Sequence, residues 1–182
     1  IFPMKHSQFH RIGIVTRPNT PQLGETLSEL VAFFLENSIE VLLDEECGND
    51  LSANPLAENC RRVAKEDMGT CCDLVLVLGG DGTFLSVARQ LAPYRIPIMG
   101  VHLGHLGFLT QVPRQNMIAD ISRMLAGQYL SEERIMLECT VQRHDESDCT
   151  ALALNEVVIS RGGFGQMIEF EVFINQEFVY TQ

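Results

Sequence analysis

Residues 74–85 read LVLVLGGDGTFL, and this stretch decides the fold. Its five consecutive apolar residues predict a strand buried on both faces, the kind found in parallel sheets. Gly79, Gly80 and Gly82 surround Asp81, where they allow a sharp turn and let a ligand approach the backbone with no Cβ in the way. Open α/β sheets bind ligands beyond the carboxyl ends of their strands, and the start of a following helix favours phosphate. We therefore expect the chemistry of the protein at this turn.

Strands and helices alternate before this stretch. Residues 11–16 and 39–44 read as strands, and apolar residues recur at helical spacing over residues 23–34 between them. This order predicts a β-α-β unit, the element of a parallel sheet. For the next segment, we predict a helix over residues 56–68.

The alternation continues after the glycine turn. A helix is predicted up to Pro93, followed by a strand over residues 96–101, in which Pro97 indicates an unpaired edge. A glycine-punctuated apolar loop follows over residues 102–110. One apolar helical face then extends from Met117 to Leu125 and closes at glycine.

The pattern changes in the last third of the chain, where strand-like runs follow one another without helices. These runs lie at residues 134–143, 151–161 and from 168 onward. The fold class is therefore predicted as α/β, with a parallel-sheet, Rossmann-like N-terminal domain followed by the start of an all-β, sandwich-type domain. The predicted segments are a tail at residues 1–10, an α/β domain at 11–128 and an incomplete β-rich domain at 129–182. We interpret the chain as a fragment that ends inside its second domain.

Composition narrows the possible partners. The net charge of −11 argues against binding to nucleic acid or an anionic membrane, which both need a basic surface. No apolar stretch approaches the length of a membrane span, and no signal-peptide pattern opens the sequence. The six cysteines show neither disulfide nor zinc-ligand spacing, so we expect reduced thiols in a cytoplasmic protein.

The glycine turn has a second interpretation, because many strand-to-helix turns carry a capping aspartate, and Asp81 could serve only in that way. Three glycines exceed what a cap needs, however, and the turn lies at the ligand-binding end of a core strand. Neither the P-loop nor the G-x-G-x-x-G fingerprint is present, so a nucleotide would be held by a different device.

Two other stretches combine polar or aromatic residues with glycine-rich or apolar surroundings. Asn155 and Glu156 interrupt an apolar run, and together they could hydrogen-bond the hydroxyls of a ribose, although a strand start beside a loop explains them nearly as well. Phe108, taken alone, is more typical of a core residue than of a ligand contact. His102 and His105 are poor metal candidates, since no third ligand is nearby.

Taken together, these stretches resemble the NAD kinase family. The matching stretches are residues 79–83 (GGDGT), 103–110 (LGHLGFLT) and 154–156 (LNE), with further likeness at 133–134 and 168–172. They stand in the family's order and at family-like separations, and the likeness extends over nearly all of the chain from Arg11 onward. The glycine motif alone is shared with diacylglycerol-type lipid kinases and partly with phosphofructokinases, whereas the ordered combination is specific.

The resemblance implies an ATP-dependent transfer of the γ-phosphoryl group to the 2′-hydroxyl of the adenosine ribose of NAD, which gives NADP. It assigns nucleotide binding and catalysis to the α/β domain and NAD binding to the β-rich domain. A divalent metal ion, expected to be Mg²⁺, is implied without protein ligands, as is a homo-oligomer, dimer or tetramer, of the full-length protein. It implies no nucleic-acid or membrane partner.

The resemblance also assigns roles to individual residues. Asp81 is the implied catalytic residue, a general base toward the 2′-hydroxyl. The implied nucleotide-binding residues are Gly79, Gly80, Asp81, Gly82, Thr83, Phe108, Asn155, Glu156 and Gln166. Phe108 would stack on the adenine, and Gln166 falls where relatives often carry a basic or other polar residue facing the NAD site.

The chain also departs from the family pattern. His102 stands where many relatives carry asparagine, and the chain ends before a second glycine- and threonine-rich nucleotide motif. We therefore predict that the 182-residue chain by itself is inactive or severely impaired. The rival hypotheses are a diacylglycerol-type lipid kinase and a non-catalytic nucleotide-binding regulatory module.

Overall fold

The structure is a computed structural model that describes residues 8–17, 23–47, 55–144, 146–160 and 167–182. Its main element is a six-stranded sheet whose neighbouring strands are all parallel, in the order β3-β2-β1-β4-β5-β6. The strands are β1 (Arg11–Thr16), β2 (Glu40–Asp44), β3 (Arg61–Val63), β4 (Leu74–Leu78), β5 (Ile98–His102) and β6 (Val112–Pro113). The predicted α/β class is confirmed.

Helices connect these strands. They are α1 (Leu23–Glu36), α2 (Met68–Cys71), α3 (Asp81–Leu91) and α4 (Met117–Leu125). Short 3₁₀ helices lie at Glu45–Cys47, Pro55–Asn59, Lys65–Asp67, Ala92–Tyr94 and Arg114–Asn116. The predicted end of α4 is confirmed, because Gly127 adopts a φ of 82°, the left-handed conformation that closes a helix.

Strand β4 is the centre of the core, and all five of its side chains are buried. Leu74, Leu76 and Leu78 belong to the cluster that includes α1 and α4. Val75 and Val77, which point to the opposite face, belong to the cluster that includes α2 and α3. The prediction of a strand buried on both faces is therefore confirmed.

The predicted helix over residues 56–68 is wrong. The segment contains a 3₁₀ helix, the edge strand β3, a second 3₁₀ helix and the start of α2. Strand β3 pairs in parallel with Leu42, Leu43 and Asp44 of β2. The two paired strands are distant in the sequence, and the stability gained from their pairing outweighs the weak helical propensity of this segment.

Strand β5 begins at Ile98, directly after Pro97, and not at residue 96 as predicted. Strand β4 pairs along one side of β5, whereas β6 pairs only with Val101 and His102 on the other. In the described part of the chain, the edge of β5 next to Pro97 therefore lacks a ladder partner, as the proline predicted.

Two antiparallel hairpins follow the parallel sheet, which confirms the predicted change of pattern. They consist of β7 (Leu137–Val141) with β8 (Cys149–Ala153), and of β9 (Glu171–Ile174) with β10 (Glu177–Thr181). Residues 154–159 are not a strand, and Val158 and Ile159 are exposed, so the strand-like run predicted over residues 151–161 is confirmed only up to Ala153. No helix among the described ranges is long and apolar enough to cross a membrane.

Candidate functional site

The glycine turn joins the carboxyl end of β4 to the first residue of α3, Asp81. Gly79, Gly80 and Gly82 all have a negative φ, so the turn does not use the left-handed conformation that glycine allows. A Cβ on Gly79 would lie 2.9 Å from Oγ1 of Thr83, whereas one on Gly80 or Gly82 would meet nothing within 4 Å among the described residues. Gly79 therefore allows close packing within the turn, and Gly80 and Gly82 keep its outer side open.

This open side faces a cleft of about 370 Å³. The cleft lies beyond the carboxyl ends of β1 and β4, the adjacent central strands from which the strand order proceeds in opposite directions. Such a topological switch point is where open α/β sheets bind their ligands. The polar lining includes Thr16, Arg17, Lys65, Thr83 and Ser86.

The Asp81 carboxylate connects the turn to the loop at residues 107–110. Its Oδ2 accepts a hydrogen bond from the backbone N–H of Phe108 at 2.7 Å. Its Oδ1 accepts the backbone N–H groups of Leu109 and Thr110, both at 3.0 Å, and the Thr110 hydroxyl at 3.1 Å. Gly80, and not Asp81, is the N-cap residue of α3, and no side chain among the described residues caps the helix. The helix-cap interpretation of Asp81 is therefore wrong.

These contacts decide the charge of Asp81. Desolvation raises the pKa of the carboxyl group, but the hydrogen bonds from Phe108, Leu109 and Thr110 together outweigh it, so the pKa lies below its ordinary value. In the described part of the chain no cationic side chain forms an ion pair with Asp81. The carboxylate is therefore kept ionised by backbone dipoles and one hydroxyl.

The loop that holds Asp81 is fitted closely to it. A Cβ on Gly107 would lie 2.2 Å from Asp81 Oδ1 and 2.6 Å from Thr110 Oγ1, so the carboxylate occupies the space that a side chain would need. The neighbouring Phe108 is 91% exposed, which shows that the core interpretation of this residue is wrong. The loop thus directs its backbone N–H groups at Asp81 and presents an aromatic ring to solvent.

A second charged group, which was not predicted from the sequence, lies beside the cleft. Lys65 Nζ lies 3.4 Å from Oδ2 of Asp44 and 3.2 Å from Oε2 of Glu46. Asp44 is 2% exposed, and burial raises its pKa although Lys65 acts against this. A carboxylate that ends a buried strand was the available signal, because such a residue needs a partner.

The remaining predicted residues lie farther along the chain. Asn155 and Glu156 are exposed and follow β8, which contacts α3, the helix that Asp81 begins. Gln166 lies outside the described residues. His102, which was judged a poor metal candidate, has its Nδ1 3.1 Å from the carbonyl oxygen of Gly104.

A parallel sheet with a glycine turn and a cleft at its switch point defines a ligand-binding α/β protein. The comparisons with known proteins are more specific. The family model described as the ATP-NAD kinase N-terminal domain matches residues 12–129, and the chain belongs to this family.

Relatives are similar over almost the whole chain. The NAD kinase of Neisseria gonorrhoeae (strain NCCP11945) is 52% identical over an alignment of 181 positions, which covers 97% of this chain and 60% of that protein. The NAD kinase of Chromobacterium violaceum is 43% identical over 96% of this chain and 58% of its own length. The chain thus spans about three-fifths of the length of the curated relatives it matches.

A solved structure agrees in fold. The crystal structure of yeast NADH kinase complexed with NADH has a TM-score of 0.84, covering 100% of this chain and 59% of that one, at 22% identity. This similarity shows that the two chains share one architecture.

Proposed function

We propose that the complete protein is an NAD kinase, which transfers the γ-phosphoryl group of ATP to the 2′-hydroxyl of the adenosine ribose of NAD and forms NADP. The family membership supports this activity, since the matched relatives carry that name. The observation that carries the proposal is the position of Asp81, an ionised carboxylate at the turn that opens onto the switch-point cleft.

In this proposal Asp81 orients the attacking hydroxyl and accepts its proton. A lowered pKa makes a carboxylate a weak base, but phosphoryl transfer proceeds through a loose transition state with little covalent work for the protein. Positioning the nucleophile is then the main task, and a carboxylate held by four hydrogen bonds is suited to it.

The phosphates are proposed to bind along the outer side of the turn. Gly80 and Gly82 leave their backbone accessible, and Thr83 adds a hydroxyl within the same cleft. The N–H groups at the start of α3 favour negative charge there. Gly79 contributes by letting Thr83 approach the turn.

The other family-derived roles remain proposals. Phe108 would stack on the adenine, which its 91% exposure permits. Asn155 and Glu156, also exposed, would hold ribose hydroxyls, and Gln166 would face NAD.

A divalent metal ion, Mg²⁺, is proposed to enter with the nucleotide. No group of three or more potential ligands lies together in the described ranges, so the chain fits a metal held chiefly by phosphate oxygens. When bound, the ion would neutralise charge on the transferred phosphoryl group.

We also propose a cytoplasmic protein that assembles as a dimer or tetramer. The six cysteines are free thiols, which fits a reducing compartment. The proposed assembly rests on the family resemblance.

The test is a coupled assay for NADP formed from NAD, ATP and Mg²⁺ by the complete protein. We expect NADP that depends on both nucleotides, with no phosphorylation of diacylglycerol in vesicles. Nucleotide binding without turnover would overturn the proposal in favour of a regulatory module, and phosphorylated lipid would favour a lipid kinase.

A further inference from the structure

The two oxygens of Asp81 are in different states. Among the described residues, Oδ1 accepts three hydrogen bonds, two from N–H groups and one from the Thr110 hydroxyl, whereas Oδ2 accepts only one, from Phe108. An ionised carboxylate offers about two lone-pair sites on each oxygen. Oδ1 is therefore saturated, and Oδ2 keeps one site for a further partner.

Thr110 is the residue that creates this asymmetry. It donates twice to Oδ1, through its N–H at 3.0 Å and its hydroxyl at 3.1 Å, and its side chain is completely buried. A carboxylate held at one oxygen by two donors from one residue is fixed against rotation about its Cβ–Cγ bond.

Two glycines fix the position of Thr110 in turn. A Cβ on Gly100 of β5 would lie 2.8 Å from Thr110 Cγ2, and one on Gly107 would lie 2.6 Å from Thr110 Oγ1. The methyl and the hydroxyl of Thr110 thus each fill a space that a glycine leaves. The orientation of this side chain is decided by the backbone of the sheet and of the loop.

We propose that Thr110 is a positioning residue, which occupies Oδ1 of Asp81 and leaves Oδ2 as the atom that accepts the proton of the attacking hydroxyl. This inference rests on the proposed kinase function. In the reaction, the hydroxyl O–H bond breaks, its proton moves to Oδ2, and the oxygen forms the new bond to phosphorus as the bond to the leaving diphosphate breaks.

Two variants separate the hydroxyl of Thr110 from its methyl group. Thr110→Val keeps the shape but removes the hydroxyl, and Thr110→Ser keeps the hydroxyl but removes the methyl that faces Gly100. Losing a hydrogen bond to the charged form raises a carboxyl pKa, so only Thr110→Val should raise that of Asp81. The loop's own titratable side chains, His102 and His105, are not among the four hydrogen-bond donors and are unchanged in both variants.

The first measurement does not depend on activity. NMR titration of the Asp81 carboxyl carbon in the 182-residue chain should show an upward shift of its pKa in Thr110→Val and the wild-type value in Thr110→Ser. If the pKa of the Asp81 carboxyl group were the same in the wild type and in Thr110→Val, the Thr110 hydroxyl would not bind Asp81 in solution. This conclusion would hold whether or not the protein is a kinase.

The second measurement is the pH dependence of kcat/KM in the complete protein. Thr110→Val should move the acid limb to higher pH and lower kcat by roughly ten- to a hundredfold, with KM for NAD little changed, because the reacting group is misplaced. Thr110→Ser should retain the wild-type limb. A fall in kcat that is equal in both variants, with no displaced limb, would reduce Thr110 to a packing residue. No NADP from the wild type would instead defeat the proposed function and leave the titration result standing.

Discussion

At each end of β4, an aspartate carboxylate accepts hydrogen bonds from the backbone of another segment. Asp73, just before the strand, accepts the backbone N–H groups of His10 and Arg11 at 2.9 Å and the Arg11 guanidinium at 2.8 Å. Asp81, just after the strand, accepts the backbone N–H groups of a loop and has no ion-pair partner in the described part of the chain. At both ends a carboxylate connects the core strand to a second segment.

The surroundings of the two carboxylates differ. Asp73 is neutralised by Arg11 and holds the start of β1, whose side chains are mostly buried. Asp81 holds a loop with an exposed phenylalanine beside an open cleft. Backbone hydrogen bonds alone therefore do not indicate catalysis. Among the described residues, Asp81 differs in having no counter-charge and in lying between Gly80 and Gly82, which line the open cleft. This difference can be tested by matched substitutions.

The largest expected effect is that of Asp81→Asn on turnover. Asparagine keeps an oxygen for Leu109 and Thr110 but places an NH₂ group opposite the N–H of Phe108, and it cannot accept the proton. We expect kcat for NADP formation by the complete protein to fall by about 10²- to 10⁴-fold, the usual contribution of a general base. Binding of NAD, measured by calorimetry, should persist.

Asp73→Asn is the matched control for this first prediction. It makes the same chemical change at the opposite end of β4, and it should leave kcat near the wild-type value. An equal loss of turnover in both variants would mean that Asp81 acts only by holding the fold together.

The second expected effect is that of Gly107→Ala, which tests how closely the loop fits Asp81. Because the new Cβ would lie 2.2 Å from Asp81 Oδ1, the loop or the carboxylate must move. We expect a stability loss of about 1–3 kcal/mol in denaturant unfolding, together with reduced turnover. Gly104→Ala, in the same loop, should change neither, since a Cβ there meets nothing within 4 Å among the described residues. Unchanged unfolding of Gly107→Ala would contradict the described contact.

Sequence reasoning found the elements whose signals are local. The apolar run of β4, the glycine turn and the start of a helix are adjacent in the chain, and each follows from short-range rules. Strand β3 was missed because its pairing with β2 spans about twenty residues and gives no periodic signal. The exposure of Phe108 was missed because hydrophobicity alone predicts burial.

The contact between Asp81 and its loop also could not be predicted from local sequence rules. It joins positions 27 to 29 residues apart, and only Gly107 in the loop hinted that something packs against that backbone. The place of Asp81 at a strand end predicted a functional turn, and the family resemblance implied its catalytic role, whereas its hydrogen-bond partners required the structure.

The third expected effect is a stability loss in Asp73→Asn without loss of function. The substitution weakens the hydrogen bonds to His10 and Arg11 and removes the ion pair with Arg11. Hydrogen bonds to a charged group each contribute about 1.5–3 kcal/mol, and partial replacement by the amide should leave a net loss near the lower end. Denaturant unfolding with an unchanged slope would measure this loss, and Arg11→Met should reproduce part of it. A wild-type midpoint in both variants would show that this end of β4 does not depend on its carboxylate.

The smallest expected effect is on the pH dependence of stability. Desolvation raises the pKa of Asp73, but the Arg11 guanidinium and the backbone N–H groups together lower it by more. The folded-state pKa of Asp73 is therefore below its ordinary value, like that of Asp81. Each carboxylate thus contributes stability that is present above the unfolded pKa of about 3.9 and is lost as the pH falls through the lower folded value. Asp44, whose pKa is raised, has the opposite sign, because its contribution decreases as the pH rises from its ordinary to its raised value.

Unfolding free energies measured between about pH 2 and pH 5 should therefore rise more gently with pH in Asp73→Asn and in Asp81→Asn than in the wild type. The rise should be gentler still in the double variant, because the two substitutions lie at opposite ends of β4 and their effects on the unfolding free energy should add. Asp44→Asn should steepen the rise, because it removes a group of opposite sign. If Asp81→Asn retained the wild-type slope while Asp73→Asn did not, the loop would not hold Asp81 in solution, and only one end of β4 would use its carboxylate as the structure describes.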